Sequence, residues 1–376
     1  MLRWSIFLLL FTVNISADTT LQNTVCKQCH PLIYAEYQAS MHSHASIFRD
    51  PVHKAVWDKH PAKRKNKYEC ARCHTPSDTT IRPGKPLVPN SIQLTQPISC
   101  QTCHTIERIE KHSKYNINIY TKKKKYFFSA DPKRKGKKVV FKEKSGLFGL
   151  FKKPVGSPFH TIDYSNEIYY NGQMCMGCHA HKQNGKGFTV CDLEVKQGNS
   201  KESCISCHMP QKKGTLANQK QSATHAYHGV SIHQTPKELS KYIDLALKKE
   251  PHGFTITIHN KATHTLFPQP LRLNQLRVSI ERNGKKLTLP PVSFKRVIGV
   301  NGKPSMPWLA ETVLKDTLIK ALEKRKVDYS TVLQKGDEVT VKFGYYLVNP
   351  HAAKKLGIKD KKVTDFKVLT QKRFKL

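Results

Sequence analysis

The stretches CKQCH (26–30), CARCH (70–74), CQTCH (100–104), CMGCH (175–179) and CISCH (204–208) decide the fold of this chain. Each has two cysteines three positions apart and a histidine directly after the second cysteine. Cysteines at this spacing lie on one side of a helical turn, where both can form thioethers to a porphyrin edge while the next residue places its imidazole under the iron. This is the attachment signature of c-type haem.

Three other interpretations of cysteine pairs explain the pattern less well. Disulfides would not require a histidine after every second cysteine. Zinc sites combine cysteine pairs in twos, and a thioredoxin-like redox motif occurs once in a domain. The sequence therefore predicts five covalently bound haem c groups, with His30, His74, His104, His179 and His208 as proximal iron ligands. The attachment cysteines are Cys26, Cys29, Cys70, Cys73, Cys100, Cys103, Cys175, Cys178, Cys204 and Cys207.

One of the 11 cysteines, Cys191, stands outside these motifs. We interpret it as a buried, inert thiol. Pairing with another chain and tuning of a nearby haem remain open as alternatives.

The composition differs from that of an ordinary globular protein. Apolar residues make up 38% of the chain, and 64 Lys and Arg against 27 Asp and Glu give a formal charge of +37. Because so few apolar side chains are available, the core of the motif-bearing half must come partly from the haems. We expect this half not to fold without them.

Residues 1–17 have the layout of a signal peptide. A basic start at Arg3 precedes an apolar run from Trp4 to Val13 and the small residues Ser16 and Ala17. This run is too short to span a bilayer, which takes about 20 residues, and no other stretch is apolar enough. The sequence predicts a periplasmic protein, either soluble there or peripheral to the membrane. Export argues against nucleic acid, the usual partner of so basic a chain.

The sixth ligand of each iron is the next question, because it sets both potential and reactivity. The chain has only six methionines, and Met174, Met176 and Met209 lie within or beside the motifs, so we expect mostly bis-histidine haems. A histidine on a helix that follows its own motif, such as His42 or His112, would reach a neighbouring haem instead of its own. The distal candidates are His42 or His44, His53, His112, His160, His225, His228 and His264.

The pattern along the chain predicts an α+β multidomain fold. A haem-cored, mostly helical and coil domain is expected over 18–235, with a helix after the first motif over 31–45 and a basic insertion at about 120–155. A linker helix is expected over 236–250. From 251 to 376 the apolar period changes to two, as in GFTITIHN and EVTVKFGYYLV, and Asn283-Gly284 is a strong hairpin signal. This region is predicted to be an antiparallel β-sandwich.

In several motifs the chain resembles multihaem cytochromes of the cytochrome c-552/c-554 type. The resemblance rests on the first motif with Ser40-Met41-His42 after it, on CHTP and CQTCHTI, and on SPFHTIDY (157–164), CISCHMP and HAYHG (225–229). Longer relatives end in a β-sandwich bearing an N-x-A-x-H-x-x-x-P element, here Asn260 to Pro268. The resemblance implies that His42, His160 and His225 sit over haem irons. It leaves the role of His264 open, because Thr263 replaces a glycine that relatives often carry.

Two functions follow. The first is a periplasmic electron carrier that relays electrons between respiratory redox partners. The alternative is a haem enzyme that reduces or oxidises a small nitrogen or sulfur compound at one five-coordinate haem. None of the motifs ends in lysine, which excludes the class of nitrite-reducing haem enzymes that has a CxxCK motif.

The basic insertion is either a solvated loop or a docking patch for an acidic or membrane-associated redox partner or for anionic lipid. The β-region is either a lid over the haems or an interaction module.

Overall fold

The computed structural model describes residues 21–141, 143–145, 152–154, 159–195, 202–218, 222–231 and 236–376. The predicted signal peptide, residues 1–17, lies outside the described residues, as does part of the basic insertion. None of the helices within the described ranges is long and apolar enough to cross a membrane.

Short helices separated by turns make up residues 21–105. Asp50 caps the helix that begins at Pro51, because its carboxylate accepts hydrogen bonds from the backbone N–H groups of Val52 and His53. Ser99 caps the helix of the third motif in the same way. A 3₁₀ turn follows over Pro61–Lys65. The α-helices are α1 Asn23–Lys27, α2 Pro31–Ala39, α3 Pro51–Lys59, α4 Ala71–His74, α5 Ser91–Thr95 and α6 Cys100–His104.

The helix after the first motif is shorter than predicted. It starts at Pro31, where proline is tolerated, but it ends at Ala39 instead of continuing to residue 45. Ser40 adopts an extended conformation, and its hydroxyl donates to the carbonyl of Tyr37. A serine that bonds to nearby backbone competes with the helical pattern and ends it. His42 and His44 therefore lie in a turn and not on a helix.

Residues 106–231 alternate short strands with the remaining motif helices. A strand, not the predicted helix, follows the third motif directly, so His112 lies beyond a strand end. The elements are β1 Ile106–Glu110, β2 Ile117–Tyr120, β3 Tyr126–Phe128, β4 Lys138–Val139, β5 Glu143–Ser145, β6 Lys152–Pro154, β7 Thr161–Asp163, α7 Ile168–Asn171, α8 Met176–His179, β8 His181–Gln183, β9 Thr189–Asp192, α9 Cys204–His208, β10 Gln211–Lys213 and β11 Thr224–Ala226.

These strands form small sheets. Antiparallel pairs join β1 to β2, β5 to β6, β8 to β9 and β10 to β11. Strand β7 lies between β3, which is parallel to it, and β4, which is antiparallel. The described part of the basic insertion is therefore not a plain loop, because β3 and β4 from the insertion flank a strand that follows it.

The predicted linker helix is present only in its first part. Helix α10 spans Pro236–Ser240, and Ile243–Glu250 forms strand β12. In residues 243–247, IDLAL, a large apolar side chain stands at every second position, and all eight residues of β12 pair with the neighbouring strand. The alternation places Ile243 and Leu245 in the core. The β-region thus begins at residue 243 and not at 251.

Two main antiparallel sheets form the β-region. The first has the order β12–β13–β20; the second has the order β15–β14–β21–β22, with β16 also paired to β14. A third small sheet has the order β18–β17–β19. The remaining elements are β13 Gly253–Asn260, β14 Leu273–Arg282, β15 Lys285–Thr288, β16 Val292–Phe294, β17 Arg296–Val300, β18 Lys303–Pro304, β19 Thr312–Asp316, β20 Lys324–Tyr329, β21 Glu338–Tyr346, α11 Pro350–Leu356, α12 Lys361–Thr364 and β22 Lys367–Lys375.

The strand predictions for this region hold. GFTITIHN is β13, EVTVKFGYY is β21, and the hairpin between β14 and β15 turns at Asn283 and Gly284, both with positive φ. Side chains from both main sheets, such as Ile256 and Leu276, lie in one hydrophobic core. The α+β fold class is confirmed, while the sandwich arrangement of the sheets stays a prediction.

A second apolar cluster connects the β-region to the motif-bearing half. Val348, Ala353 and Val363 are buried around α11 and α12, and Val52 of α3 packs against them. Because α3 also carries His53, the β-region supports one of the candidate ligand helices.

Candidate haem-binding sites

Four of the five motif histidines share one hydrogen-bond pattern. The Nδ1 atoms of His30, His104 and His208 lie 2.8, 2.7 and 2.7 Å from the backbone carbonyl oxygens of Leu216, Phe128 and Ser231. His74 has a longer contact of 3.3 Å to the carbonyl of Ala45. A ring that donates from Nδ1 to a carbonyl keeps its Nε2 lone pair for a metal, which is the usual arrangement of a ligating histidine.

Three of these imidazoles face a second imidazole from a distant part of the chain. His42 faces His179, with ring centres 6.2 Å apart and an interplanar angle of 54°. His228 faces His104 at 6.2 Å and 21°. His264 faces His208 at 6.3 Å and 25°.

This spacing fits an iron between the two rings. Two imidazole nitrogens bound to one metal ion at about 2 Å each place the ring centres about 6 Å apart. Direct stacking of the rings would bring them closer. Among the described residues, no group of three or more His, Cys, Asp or Glu side chains is arranged to hold a metal ion by itself. The residues present therefore fit a haem c at the third, fourth and fifth motifs.

Burial favours the neutral form of these rings. It lowers the pKa of His42 to about 4 and that of His228 to about 3, with the neighbouring motif histidine adding to the effect. The pKa of His264 is also lowered by burial. Only neutral imidazole binds a metal ion, so the sites hold these side chains in the form that ligation requires.

The turn after α2 separates His42 from His44. His42 faces His179, whereas Nδ1 of His44 lies 2.8 Å from the carbonyl oxygen of Ser40 and 2.9 Å from the hydroxyl of Ser43. The structure thus brings His42 to the fourth motif and ties His44 to its own turn.

His225 was expected to lie over a haem iron, but in the structure His228 is the residue that faces a motif histidine. Nε2 of His225 lies 2.8 Å from the carboxylate of Glu36, and its Nδ1 lies 3.2 Å from the carbonyl of Gly214. Both ring nitrogens therefore face oxygen atoms, and the ring faces no motif histidine. His228, three residues later, is the one that faces His104.

The remaining two expected distal ligands have different surroundings. His160 lies where its pKa is lowered by burial and by His30 and His104, and its ring meets Phe127 edge to face. The structure thus places His160 near the first and third motifs. His112 is half exposed, with Nε2 3.9 Å from Glu110, and it faces no motif histidine.

The second motif has a different arrangement. The rings of His53 and His74 are only 4.0 Å apart, closer than an intervening iron requires. Nδ1 of His53 lies 3.0 Å from the carbonyl of Ala45, and Nε2 lies 3.2 Å from the hydroxyl of Tyr68. Burial lowers the pKa of His74 to about 3 and raises that of Tyr68.

Contacts between cysteines show which motifs are neighbours. The thiols of Cys73 and Cys178 lie close together, and their interaction lowers the pKa of Cys73 to about 7 and raises that of Cys178. The same relation links the first motif to the third and the fourth motif to the fifth. The two further pairs are Cys26 with Cys100 and Cys175 with Cys204.

Cys191 lies on β9, opposite Lys182 of β8. Burial raises the pKa of its thiol, with Arg296 acting in the opposite direction. A raised pKa keeps the thiol protonated and unreactive, which agrees with the interpretation of an inert cysteine.

The sequence did not reveal the groups that hold the candidate ligands in place. The hydroxyl of Tyr68 contacts His53, 15 residues away, and the carbonyl of Phe128 contacts His104, 24 residues away. The carboxylate of Glu36 contacts His225, 189 residues away. His53 and His228 were among the candidates, but only their partners in space single them out.

Facing histidine pairs beside CxxCH motifs are typical of multihaem c-type cytochromes. Residues 25–105 match the family model described as cytochrome c554 and c-prime. The chain is also similar in structure to a penta-heme cytochrome c552 from Thermochromatium tepidum. The TM-score is 0.71 at 20% identity, and the match covers 95% of this chain and 99% of that one. The search of the curated proteins found no match.

Together the two matches confirm the resemblance. The family match covers the first three motifs, and the structural match extends the shared fold through the β-region. Residues 25–105 are thus similar to cytochromes of the c554 family, and the whole chain shares the fold of a penta-heme cytochrome c552.

Proposed function

We propose that this chain is a pentahaem c-type cytochrome that carries electrons between redox partners outside the cytoplasm, through mostly bis-histidine haems. The observation that carries the proposal is the set of three imidazole pairs with ring centres 6.2 to 6.3 Å apart, each joining one motif to a distant histidine. Six-coordinate iron with two imidazoles exchanges electrons without an open position for substrate.

The ligand assignment follows from the pairs. In this proposal His42 is the sixth ligand at the fourth motif, His228 at the third and His264 at the fifth. His160 lies near the first and third motifs and is not assigned to either of them. His225 and His112 are not assigned.

When bound, each haem supplies a one-electron iron couple. The chain's own residues determine the spacing of the haem sites and the surroundings of each iron. Cysteines of neighbouring motifs lie close together, so the first site adjoins the third, and the fourth site adjoins both the second and the fifth. Buried imidazoles exclude water from the irons, and backbone carbonyls hold the proximal rings in orientation.

Location and partners are part of the proposal. The signal-peptide layout of residues 1–17 supports export to the periplasm. The formal charge of +37 supports an acidic or membrane-associated redox partner, or contact with anionic lipid. Expression of the chain with its own N-terminus, followed by N-terminal sequencing of the exported protein, tests whether residues 1–17 are removed. A steep loss of partner reduction rate with added salt tests the second.

The test of the central proposal uses the haem-loaded protein. Haem content should be five per chain, and electron paramagnetic resonance of the oxidised form should be dominated by low-spin ferric signals. A dominant high-spin signal that responds to nitrite, hydroxylamine or sulfite would overturn the electron-carrier proposal.

The second motif favours a second candidate function, a haem enzyme. Its ring pair is the tightest, and Tyr68 holds Nε2 of His53 by a hydrogen bond. If His53 keeps this bond in the loaded protein, the iron above His74 has an open position beside a tyrosine hydroxyl. Cyanide binding to one haem per chain in the unmodified protein, with no increase in His53→Ala, would support this candidate. Steady-state assays with small nitrogen and sulfur anions would then identify the substrate.

A further inference from the structure

The carboxylate of Glu36 connects the first motif's helix to the segment that carries His228. Glu36 lies on α2, six residues after His30. One of its oxygens is 2.8 Å from Nε2 of His225, and the other accepts a hydrogen bond of 2.9 Å from the backbone N–H of His228. One side chain thus holds the segment 225–228 at both of its ends.

This contact is almost closed to solvent. The side chain of His225 is 1% exposed and that of Glu36 is 13% exposed. A hydrogen bond to a charged group contributes more when it is shielded from water, and removing one partner leaves the other unsatisfied. The link between α2 and the 225–228 segment is therefore a strong positional restraint.

The local backbone is shaped for this contact. Gly214 has a φ of +134°, and a Cβ atom at this position would lie 2.5 Å from Leu32 and 3.3 Å from the His225 ring. Glycine is the residue that tolerates both this conformation and the close approach. The ring of His225 can therefore pack against the Gly214 backbone while it reaches Glu36.

The position of His228 depends on the same segment. Its Nδ1 lies 2.7 Å from the carbonyl of Ala226, and its ring faces His104 with centres 6.2 Å apart. A ligand held only by its own backbone would follow any shift of that backbone. Because Glu36 accepts from the N–H of His228 itself, it fixes the point from which the ring projects.

We propose that Glu36 is a positioning residue for the haem of the third motif, and that it keeps His228 in the sixth coordination position through the His225–Glu36–His228 contacts. This proposal rests on the proposed function, in which His228 is that haem's distal ligand. It also makes the first motif's own helix a support for the third haem, so the two sites are built together.

Three variants of the haem-loaded protein test the proposal. His228→Ala should convert one haem in five from low to high spin. Glu36→Ala should convert the same haem, in part or fully, with imidazole in solution restoring the low-spin signal. Glu69→Ala, at an exposed glutamate beside the second motif, is the matched control and should leave all spin states unchanged.

Glu36→Gln supplies a readout that a purely structural role would not move. The amide keeps an oxygen that can accept from the N–H of His228, so the haem should stay low spin. Loss of a negative charge next to the ligand should shift its potential upward, because a carboxylate stabilises the ferric state. A redox titration followed by the low-spin signal of that haem measures the shift.

The outcomes distinguish the assignment of His228 as a ligand from the positioning role of Glu36. If His228→Ala leaves every haem low spin, the ligand assignment itself fails. If His228→Ala converts one haem while Glu36→Ala leaves a haem-loaded protein with five low-spin haems, the positioning role is overturned. If Glu36→Ala does not incorporate haem, Glu36→Leu, which keeps the bulk of the side chain but neither oxygen, takes its place, and five low-spin haems in that variant overturn the positioning role.

Discussion

The imidazole of His264, in the β-region, faces the imidazole of His208, the last residue of the fifth motif, with ring centres 6.3 Å apart. Nδ1 of His264 lies 2.9 Å from the carbonyl oxygen of Thr265, which leaves Nε2 for a metal. The β-region therefore contributes to a candidate haem site and is more than a cover over the motif-bearing half.

Replacing His264 by alanine should convert the haem of the fifth motif from low to high spin. The reason is loss of one of two axial imidazoles while the attachment cysteines stay in place. Electron paramagnetic resonance and the visible spectrum of the oxidised protein measure the change. His252→Ala, at an exposed histidine in the same region, should leave the spectrum unchanged. Equal spectra for both variants would remove the β-region from the haem sites.

Alanine variants of His42 and His44 should differ in spin state in the same assay. His42→Ala should convert the haem of the fourth motif to high spin, because His42 faces His179. His44→Ala should leave all haems low spin, because Nδ1 of His44 is engaged by the backbone of its own turn. A high-spin signal in His44→Ala together with an unchanged His42→Ala would reverse the assignment.

The motifs and the strands of the β-region could be predicted from the sequence because both are local patterns. Five identical frames identify the cysteines, and a period of two identifies β13 and β21. The same kind of pattern failed at Ile243–Glu250, where a lysine- and leucine-rich stretch suits a helix by composition. Pairing with β13 decided that it is a strand.

The facing histidine pairs could not be predicted in the same way, because each pair joins residues far apart in the sequence. His42 meets His179, and His104 meets His228, across more than a hundred residues. No local spacing distinguishes His228 from His225 in HAYHG; the contact of His225 with Glu36 does so. His112 was expected on a helix, but the strand β1 directs it to a half-exposed position.

Asp78 should make the stability of the motif-bearing half depend on pH. Burial acts to raise the pKa of its carboxyl, but hydrogen bonds from Thr80, Asn90 and Gln93 outweigh it and lower the pKa. A lowered carboxyl pKa contributes stability that is present above the unfolded value of about 4 and is lost as pH falls through the folded value.

Asp78→Ala should therefore destabilise the protein by about 2 to 3 kcal/mol near neutral pH, with several buried donors left without their acceptor. The difference in thermal midpoint between the variant and the parent should shrink as the pH is lowered below about 4. Glu69→Ala, at an exposed glutamate close in sequence, serves as the control. A difference that stays constant down to pH 2 would contradict the role of the carboxylate.

Leu276→Ala should lower the stability of the fold without changing the ligation of the haems. Leu276 is fully buried in the core of the β-region, and truncating such a side chain costs about 2 to 5 kcal/mol. The variant should unfold at a lower temperature or denaturant concentration while its folded form keeps all low-spin signals. A change in spin state before unfolding would show that the core of the β-region controls the fifth site directly.

The most direct test of the account is the haem count per chain measured together with the spin state of each iron in the oxidised, haem-loaded protein. The account predicts five haems, with low-spin bis-imidazole iron at the third, fourth and fifth motifs. Fewer than five haems, or high-spin iron at the sites of His104, His179 and His208, would contradict it.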